Sequence, residues 1–259
     1  MNVRGGRHAS LYHGGYARRV SDTLVFIPAW NEEGNLAAVL DELRRELPDA
    51  DVLVVDDGST DRTAGVARER GADVLSFGEN RGLQAGIAAG YAWALEHGYA
   101  FCGRVDADGQ HPVTELRRLL ELVRSGATDV AVGSRFVSAE GYEPYRYEPE
   151  GIRKLGTGLL RRSMRVVLGR PFNDATSGLY AVSAKALPAL ARPYTTGAPE
   201  VQALLRLHDE GLRVQEVAVD MRVRAGGESK LQGMKAFLLV VTVIGTLLGA
   251  KRLWGRNRA

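Results

Sequence analysis

Short apolar runs alternate with longer amphipathic segments along the first half of the chain, and this alternation limits the possible folds more than any other feature. Five of the apolar runs have the length of β-strands: Thr23–Pro28, Asp51–Asp56, Asp73–Phe77, Phe101–Asp106 and Asp129–Ser134. Four intervening segments repeat apolar residues at helical spacing: Glu33–Leu47, Asp61–Arg70, Leu83–His97 and Pro112–Ser125. Since βαβ units have right-handed crossovers, we predict an α/β fold with a mostly parallel sheet flanked by helices.

The second half is less regular. Ala139–Glu150 is rich in Tyr, Pro and Glu and predicts a long loop, which a basic helix at Ile152–Leu168 and a turn-rich stretch at Asn173–Gly178 follow. A further helix is predicted at Glu200–Glu210 and a further strand at Leu212–Val219. The chain of 259 residues is 45% hydrophobic, which is sufficient for a substantial core.

The two ends differ from this body. Residues 1–20 are basic and rich in Gly and lack the apolar segment of a secretory signal, so we predict a flexible arm. Ala236–Ala250 is uncharged and has basic flanks, but it is shorter than the ~20 residues that span a bilayer. We expect residues 231–259 to form an apolar and basic helix that lies on a membrane surface or packs on a membrane-protein partner. A terminal helix packed on the core is the alternative.

Composition and motifs argue against several classes of protein. The net charge of +3, without a dense basic stripe, argues against a nucleic-acid partner. Cys102 is the single cysteine, which excludes an intramolecular disulfide and indicates a reducing compartment. The first strand is not followed by G-x-G-x-x-G, which argues against a dinucleotide-binding dehydrogenase.

Two acidic clusters follow predicted strands: VVDDGSTD (Val54–Asp61) and RVDADGQHP (Arg104–Pro112). Parallel sheets bind ligands in the crevice at the carboxyl ends of their strands. Asp106 and Asp108 are two positions apart and present hard oxygen ligands for Mg²⁺ or Mn²⁺, and Gln110 adds a neutral oxygen. Each cluster by itself is also typical of an Asp–Gly turn.

The order of five motifs carries a family resemblance: IPAWNEEGNL, VVDDGSTDRT, N-R-G-L-x-A-G, VDADGQHP and GSRF. Their order and spacing resemble family 2 glycosyltransferases of the GT-A fold. The later stretches DATSGLYAVS and RVRAGGESK resemble the branch with dolichyl-phosphate mannose synthase and the bacterial polyprenyl-phosphate sugar transferases. The resemblance extends from about Thr23 to Lys230, so we expect residues 21–230 to form a GT-A catalytic domain.

This resemblance implies a nucleotide-sugar site for a GDP- or UDP-sugar. Four residues would line the nucleotide pocket: Pro28, Trp30, Glu32 and Asp57. The turn that carries Arg81 is expected to meet the same ligand. Asp106 would contact the donor, and three residues would hold a Mg²⁺ or Mn²⁺ ion at its diphosphate: Asp106, Asp108 and Gln110.

The resemblance also implies an acceptor site. Arg135, together with Arg153 and Thr157, would bind an acceptor phosphate, and an i, i+4 pair shares one helix face. Arg153 could instead belong to an exposed basic helix face. A Gly-rich loop is expected to close over phosphates as a lid with three polar residues: Arg224, Ser229 and Lys230. Asp174 resembles the start of the family's D-x-x-S-G, where a catalytic role and a structural turn both fit.

The expected function is inverting, metal-dependent transfer of a sugar from a nucleotide sugar to a polyprenyl phosphate at the cytoplasmic face of the membrane, with the protein bound peripherally. A phosphate acceptor is already a nucleophile, whereas a hydroxyl acceptor needs a base, for which Glu200 and Asp174 are the candidates. Two alternatives remain: a soluble transferase acting on a hydroxyl, and a non-catalytic nucleotide-sugar-binding subunit.

Overall fold

The computed structural model describes residues 21–142, residue 165 and residues 172–222. Within these residues the elements follow one another in this order: β1 (Thr23–Ala29), α1 (Glu33–Glu46), β2 (Asp51–Asp56), α2 (Thr63–Glu69), β3 (Asp73–Ser76), α3 (Leu83–Glu96), β4 (Phe101–Arg104), α4 (Val113–Arg124), β5 (Val130–Ser134), β6 (Tyr180–Ser183), α5 (Leu187–Leu190), α6 (Pro199–Asp209) and β7 (Val214–Ala218).

The strands form one seven-stranded sheet in the order β3-β2-β1-β4-β6-β5-β7. Every neighbouring pair is parallel except the two pairs that β6 makes, with β4 and with β5. The predicted α/β fold with a mostly parallel sheet is therefore confirmed. The sequence did not predict β6 or α5, because a four-residue apolar run carries too little periodicity to identify its structure.

The core lies on both faces of the sheet because successive residues of a strand point to opposite sides. Phe26 in β1 packs with α3, where its ring meets Tyr91 edge to face at 4.9 Å and Gly90 leaves room for it. Ile27, the next residue, belongs to the cluster on the other face with α1 and α4. Both side chains are fully buried, and each contributes about 1.5–3 kcal/mol to stability.

The direction of β6 decides which loops meet. β1, β2, β4 and β5 run in the same direction, so their carboxyl ends lie at one edge of the sheet. β6 runs in the opposite direction and begins at that edge. The residues before β6 are therefore brought beside the loops that follow the parallel strands.

Several predicted segments lie outside the described residues. They are the arm at residues 1–20, most of the loop at 139–150, the basic helix except for Arg165, and residues 231–259. The division into arm, catalytic domain and C-terminal helix stays a prediction. Across residues 21–142 and 172–222, none of the helices has both the length and the apolar character needed to cross a bilayer.

Candidate active site

The loops after β1 and β2 are joined by hydrogen bonds at the carboxyl edge. Asn31 N donates to Ser59 Oγ at 3.0 Å, and Asn31 Oδ1 accepts the backbone N–H of Thr60 at 2.9 Å. Asn31 has a φ of 53°, a left-handed conformation that Asn tolerates better than most residues. These contacts fix the loop that presents Trp30, which is 40% exposed at this edge.

The other predicted pocket residues of β1 and its loop lie deeper. Pro28 is buried within β1, opposite Val55 of β2, and packs near Gly86 of α3. Glu32 is half-buried, and its Oε2 accepts a hydrogen bond from Asn35 Nδ2 at 2.9 Å. Trp30 is therefore the most exposed of these three predicted nucleotide-pocket residues.

Asp57 is buried and organises the turn before α3. Its Oδ1 accepts the backbone N–H of Arg81 at 2.6 Å, and its Oδ2 accepts that of Gly82 at 2.9 Å. Gly58 follows with a φ of +68°, and a Cβ on it would lie 2.3 Å from the backbone carbon of Glu79. Both carboxylate oxygens thus bind the protein's own backbone and place the exposed Arg81 beside the site.

Asp106 stands just beyond β4 with its side chain 34% exposed. Its Oδ1 lies 3.4 Å from Nη2 of Arg104, and its Oδ2 lies 3.9 Å from Nδ1 of His111. Burial raises the pKa of Asp106, but the Arg104 guanidinium together with smaller contributions from other neighbours outweighs burial and holds that pKa below its usual value. The backbone of Gly178 also approaches closely, since a Cβ there would lie 2.2 Å from Asp106 Oδ2.

The rest of the D-A-D-G-Q-H loop is held in place locally. Asp108 is half-buried, and its Oδ1 accepts the backbone N–H of Gln110 at 3.1 Å. His111 is buried, and its Nδ1 accepts the backbone N–H of Asp106 at 3.4 Å, which puts the ring proton on Nε2. Burial lowers the pKa of His111, although the charge of Asp106 opposes this.

The donor set at this loop suits a hard cation that takes further ligands from a substrate. In residues 21–142 and 172–222, no group of three or more His, Cys, Asp or Glu side chains could hold a metal ion. Mg²⁺, however, is commonly held by one or two carboxylates together with substrate phosphates. Asp106 and Asp108 are partly exposed on one short loop, and their oxygens meet that requirement.

Arg135 is fixed at the end of β5 by a buried carboxylate. Asp174 is fully buried and accepts Nε of Arg135 at 2.7 Å and Nη2 at 2.6 Å. Glu216 of β7 holds Asp174 in place. Its Oε1 accepts hydrogen bonds from Asp174 N at 2.6 Å and from Ser134 Oγ at 2.9 Å. Arg135 keeps 30% of its side chain exposed, and its charge also lowers the pKa of Asp106.

Glu200, at the start of α6, contacts Arg104 at the end of β4. Nη2 of Arg104 donates to Glu200 Oε1 at 2.9 Å, with the Arg104 side chain 3% exposed and that of Glu200 14% exposed. Burial raises the pKa of Glu200, and Arg104 opposes that rise. The two candidate bases, Asp174 and Glu200, are therefore each bound to an arginine.

The remaining predicted residues lie outside the described part of the chain: Arg153, Thr157, Arg224, Ser229 and Lys230. The described part ends at Arg222, whose backbone N–H donates to Gln110 O at 2.9 Å. Its guanidinium binds both carboxylate oxygens of Glu42 at 2.6 and 2.8 Å. Arg222, two residues before the predicted lid residue Arg224 in the sequence, thus lies beside the D-A-D-G-Q loop.

Sequence reasoning missed three residues that shape the site: Arg104, Gly178 and Glu216. The one available signal for Arg104 is a charge inside an otherwise apolar strand run, FCGRV. The sequence places Gly178 only in a turn-rich stretch and Glu216 only in a predicted strand. The contacts of Gly178 with Asp106 and of Glu216 with Asp174 depend on strand pairing, which no local pattern specifies.

Comparison with known proteins identifies the family. The family model for glycosyl transferase family 2 matches residues 24–180, more than half of the chain. The chain therefore belongs to glycosyl transferase family 2, and the prediction of a glycosyltransferase is confirmed.

Curated relatives and solved structures agree with this assignment. The chain is 32% identical to polyprenol monophosphomannose synthase of Mycolicibacterium smegmatis, with 83% of each chain covered. It is 34% identical to undecaprenyl-phosphate mannosyltransferase of Micrococcus luteus, over 91% of this chain and 97% of the relative. Glucosyl-3-phosphoglycerate synthase of Mycobacterium tuberculosis, solved with Mn²⁺, UDP and phosphoglyceric acid, has a TM-score of 0.62 at 20% identity. That match covers 88% of this chain and 78% of the other, and supports the GT-A fold.

Proposed function

We propose that this protein is an inverting, metal-dependent glycosyltransferase that moves a sugar from a GDP- or UDP-sugar to a polyprenyl phosphate at the cytoplasmic face of the membrane. One observation carries the choice of acceptor: Asp174 and Glu200, the two candidate bases, are each bound to an arginine. A hydroxyl acceptor needs a base to take its proton, whereas a phosphate monoester is already anionic near neutral pH.

The proposed roles follow from where the side chains lie. Trp30 stacks on the nucleotide base, and Asp106 and Asp108 face the donor diphosphate with Gln110 beside them. When bound, a divalent cation would supply positive charge to the leaving diphosphate. Arg135, held by Asp174, orients the acceptor phosphate for attack on the face of the sugar opposite the leaving group, so the anomeric configuration inverts.

Residues beyond the described part complete this proposal. Arg153 and Thr157 add to the acceptor grip, and Arg224, Ser229 and Lys230 close over the phosphates. The uncharged segment Ala236–Ala250 with its basic flank brings the protein to a membrane surface or to a membrane-protein partner.

The relatives support the acceptor and suggest the sugar. Both curated relatives described above carry names that specify mannose transfer to a polyprenol or undecaprenyl phosphate. Their similarity covers more than four fifths of this chain, including the segments that follow β5. Mannose is therefore the first sugar to test, with other hexoses and N-acetylhexosamines as competitors.

The decisive experiment supplies the purified full chain with a polyprenyl phosphate and a panel of GDP- and UDP-sugars, with Mn²⁺, Mg²⁺ or a chelator. Mass spectrometry of the lipid fraction should show one lipid-phosphate sugar, and the chelator should abolish it. Sugar transfer to a hydroxyl acceptor alone would contradict the proposal.

A substitution at Arg153 tests the proposed binding site for the acceptor phosphate directly. Arg153→Ala should raise KM for the lipid phosphate about tenfold or more, because one charge-assisted contact is lost. Arg117→Ala is the matched control, since Arg117 is a half-exposed arginine of α4 paired with Glu46. Equal KM values for the two variants would argue against an acceptor role for Arg153.

A further inference from the structure

The guanidinium group of Arg104 is buried next to the loop that carries Asp106 and Asp108. Arg104 is the last residue of β4, pairs in register with Tyr180 of β6 and has a side chain only 3% exposed. Burying a guanidinium carries a large desolvation cost that only good partners offset. Its Nη2 reaches both Asp106 at 3.4 Å and Glu200 at 2.9 Å.

Arg104 is a costly residue to bury in these surroundings. Nε of Arg104 and the hydroxyl groups of Tyr180 and Tyr194 are buried with no hydrogen-bond partner among the described residues. A buried pair that leaves polar atoms unsatisfied is less favourable than apolar residues of the same volume. A role of Arg104 at Asp106 would account for this cost.

The exposed fractions show which of the three charged side chains faces the crevice. Arg104 is buried, Glu200 is 14% exposed and Asp106 is 34% exposed, so Asp106 alone opens to the crevice. Arg104 holds Asp106 in place, but its positive charge also cancels the negative charge that Asp106 presents to a ligand. Glu200 contacts the same nitrogen, and its carboxylate balances that guanidinium.

We propose that Glu200 is a positioning residue that neutralises Arg104, so that Arg104 can orient Asp106 while Asp106 keeps its negative charge toward the cation and the donor diphosphate. This inference rests on the proposed function, and it gives Glu200 a role other than that of a general base.

Glu200→Gln tests this directly because it keeps the size and an oxygen for Arg104 but removes the charge. Mn²⁺ binding would be measured by calorimetry in the presence of UDP and, separately, of GDP, using the nucleotide that the wild-type protein binds. We expect Mn²⁺ affinity to fall on the order of tenfold, since one unit charge is removed near a partly exposed ion. Glu210→Gln is the control, because Glu210 pairs with Arg192 just beyond the other end of the same helix.

A second variant separates charge balance from packing. Arg104→Met together with Glu200→Gln removes one positive and one negative charge, so the net charge beside Asp106 equals that of the wild type. We expect the double variant to bind Mn²⁺ more tightly than Glu200→Gln alone. A role confined to packing predicts no such recovery. If the double variant does not fold, Glu200→Gln alone decides.

Steady-state kinetics distinguish a counter-charge role of Glu200 from a general-base role. A counter-charge predicts that Glu200→Gln raises the Mn²⁺ and donor concentrations needed for half-maximal rate and leaves KM for the lipid phosphate unchanged. A general base predicts a loss of kcat with unchanged Mn²⁺ binding, which would overturn the inference, as would wild-type Mn²⁺ affinity in Glu200→Gln. A wild-type protein that binds no nucleotide with Mn²⁺ would overturn the proposed metal site itself.

Discussion

Asp174 is completely buried and binds the guanidinium of Arg135 with both carboxylate oxygens, at 2.6 and 2.7 Å. Asp174 is itself anchored, because its backbone N–H donates to Glu216 of β7 at 2.6 Å. A guanidinium bound in this bidentate way has a fixed plane and direction. The position of Arg135 is thus set by two acidic residues from other parts of the chain.

Asp174→Asn should weaken both the use of the acceptor and the stability of the fold. The amide can accept only one of the two guanidinium hydrogen bonds, so Arg135 loses its fixed orientation. We expect kcat/KM for the lipid phosphate to fall about 10- to 100-fold, and stability to fall by about 1–3 kcal/mol. Steady-state rates at saturating donor and urea unfolding measure the two effects.

The control for this change is Asp41→Asn, which breaks a surface pair between Asp41 and Arg70. Surface pairs contribute little, so rates and stability should match the wild type within about 0.5 kcal/mol. A variant at Asp174 that keeps the wild-type kcat/KM for the lipid phosphate would show that Arg135 needs no such anchor.

Asp108→Ala should abolish metal-dependent turnover and leave the fold intact. Asp108 is half-buried on a loop, and its Oδ1 accepts a hydrogen bond from the backbone N–H of Gln110. We expect the rate to fall by about 100-fold or more through loss of charge stabilisation at the diphosphate, with a stability change of at most about 1 kcal/mol. Transfer assays across a Mn²⁺ titration and thermal unfolding check both; Asp49→Ala, at an exposed position after α1, is the control.

Gly58→Ala should destabilise the protein and disturb the Asp57 turn. Gly58 has a φ of +68°, and an added Cβ would lie 2.3 Å from the backbone of Glu79, which has little freedom to move. We expect a loss on the order of 2–4 kcal/mol in urea unfolding. Gly65→Ala in α2 is the matched control: a Cβ there has nothing within 4 Å, so it should raise stability by up to about 1 kcal/mol. Equal stabilities for both variants would contradict this.

Asp129 gives the fold a defined response to acid. Hydrogen bonds from Arg213 hold the pKa of Asp129 well below its usual value, which is about 3.9 in the unfolded chain. The unfolded state then binds the proton more readily, so the contribution is complete above about pH 4 and is lost as pH falls through the lower native pKa.

Asp129→Asn should therefore cost about 1–2 kcal/mol at pH 7, a value reduced by the exposure of Arg213. The difference in the free energy of unfolding between wild type and variant should shrink as pH falls below about 4. Urea titrations from pH 7 to pH 3 measure it, and a difference that stays constant over this range would disprove the assignment.

The part of the site that lies on single loops could be predicted. Asp106, Asp108 and Asp57 each follow a strand whose apolar run is visible in the sequence, and parallel strands end at one edge. The role of Asp57 was only partly foreseen, because its hydrogen bonds go to a turn about 25 residues away, at Arg81 and Gly82. Neighbouring residues do not encode such a partner.

The βαβ alternation, the mostly parallel sheet and the loops that carry the acidic clusters can all be predicted from the amino-acid sequence. These features depend on periodicity and turn chemistry within a few residues. The folded structure alone shows that β6 enters the sheet antiparallel, which brings Gly178 against Asp106 and Asp174 against Arg135. It also paired Arg104 with Glu200 across 96 positions. Strand pairing and buried charge partners depend on contacts between distant segments, and local patterns do not specify those contacts.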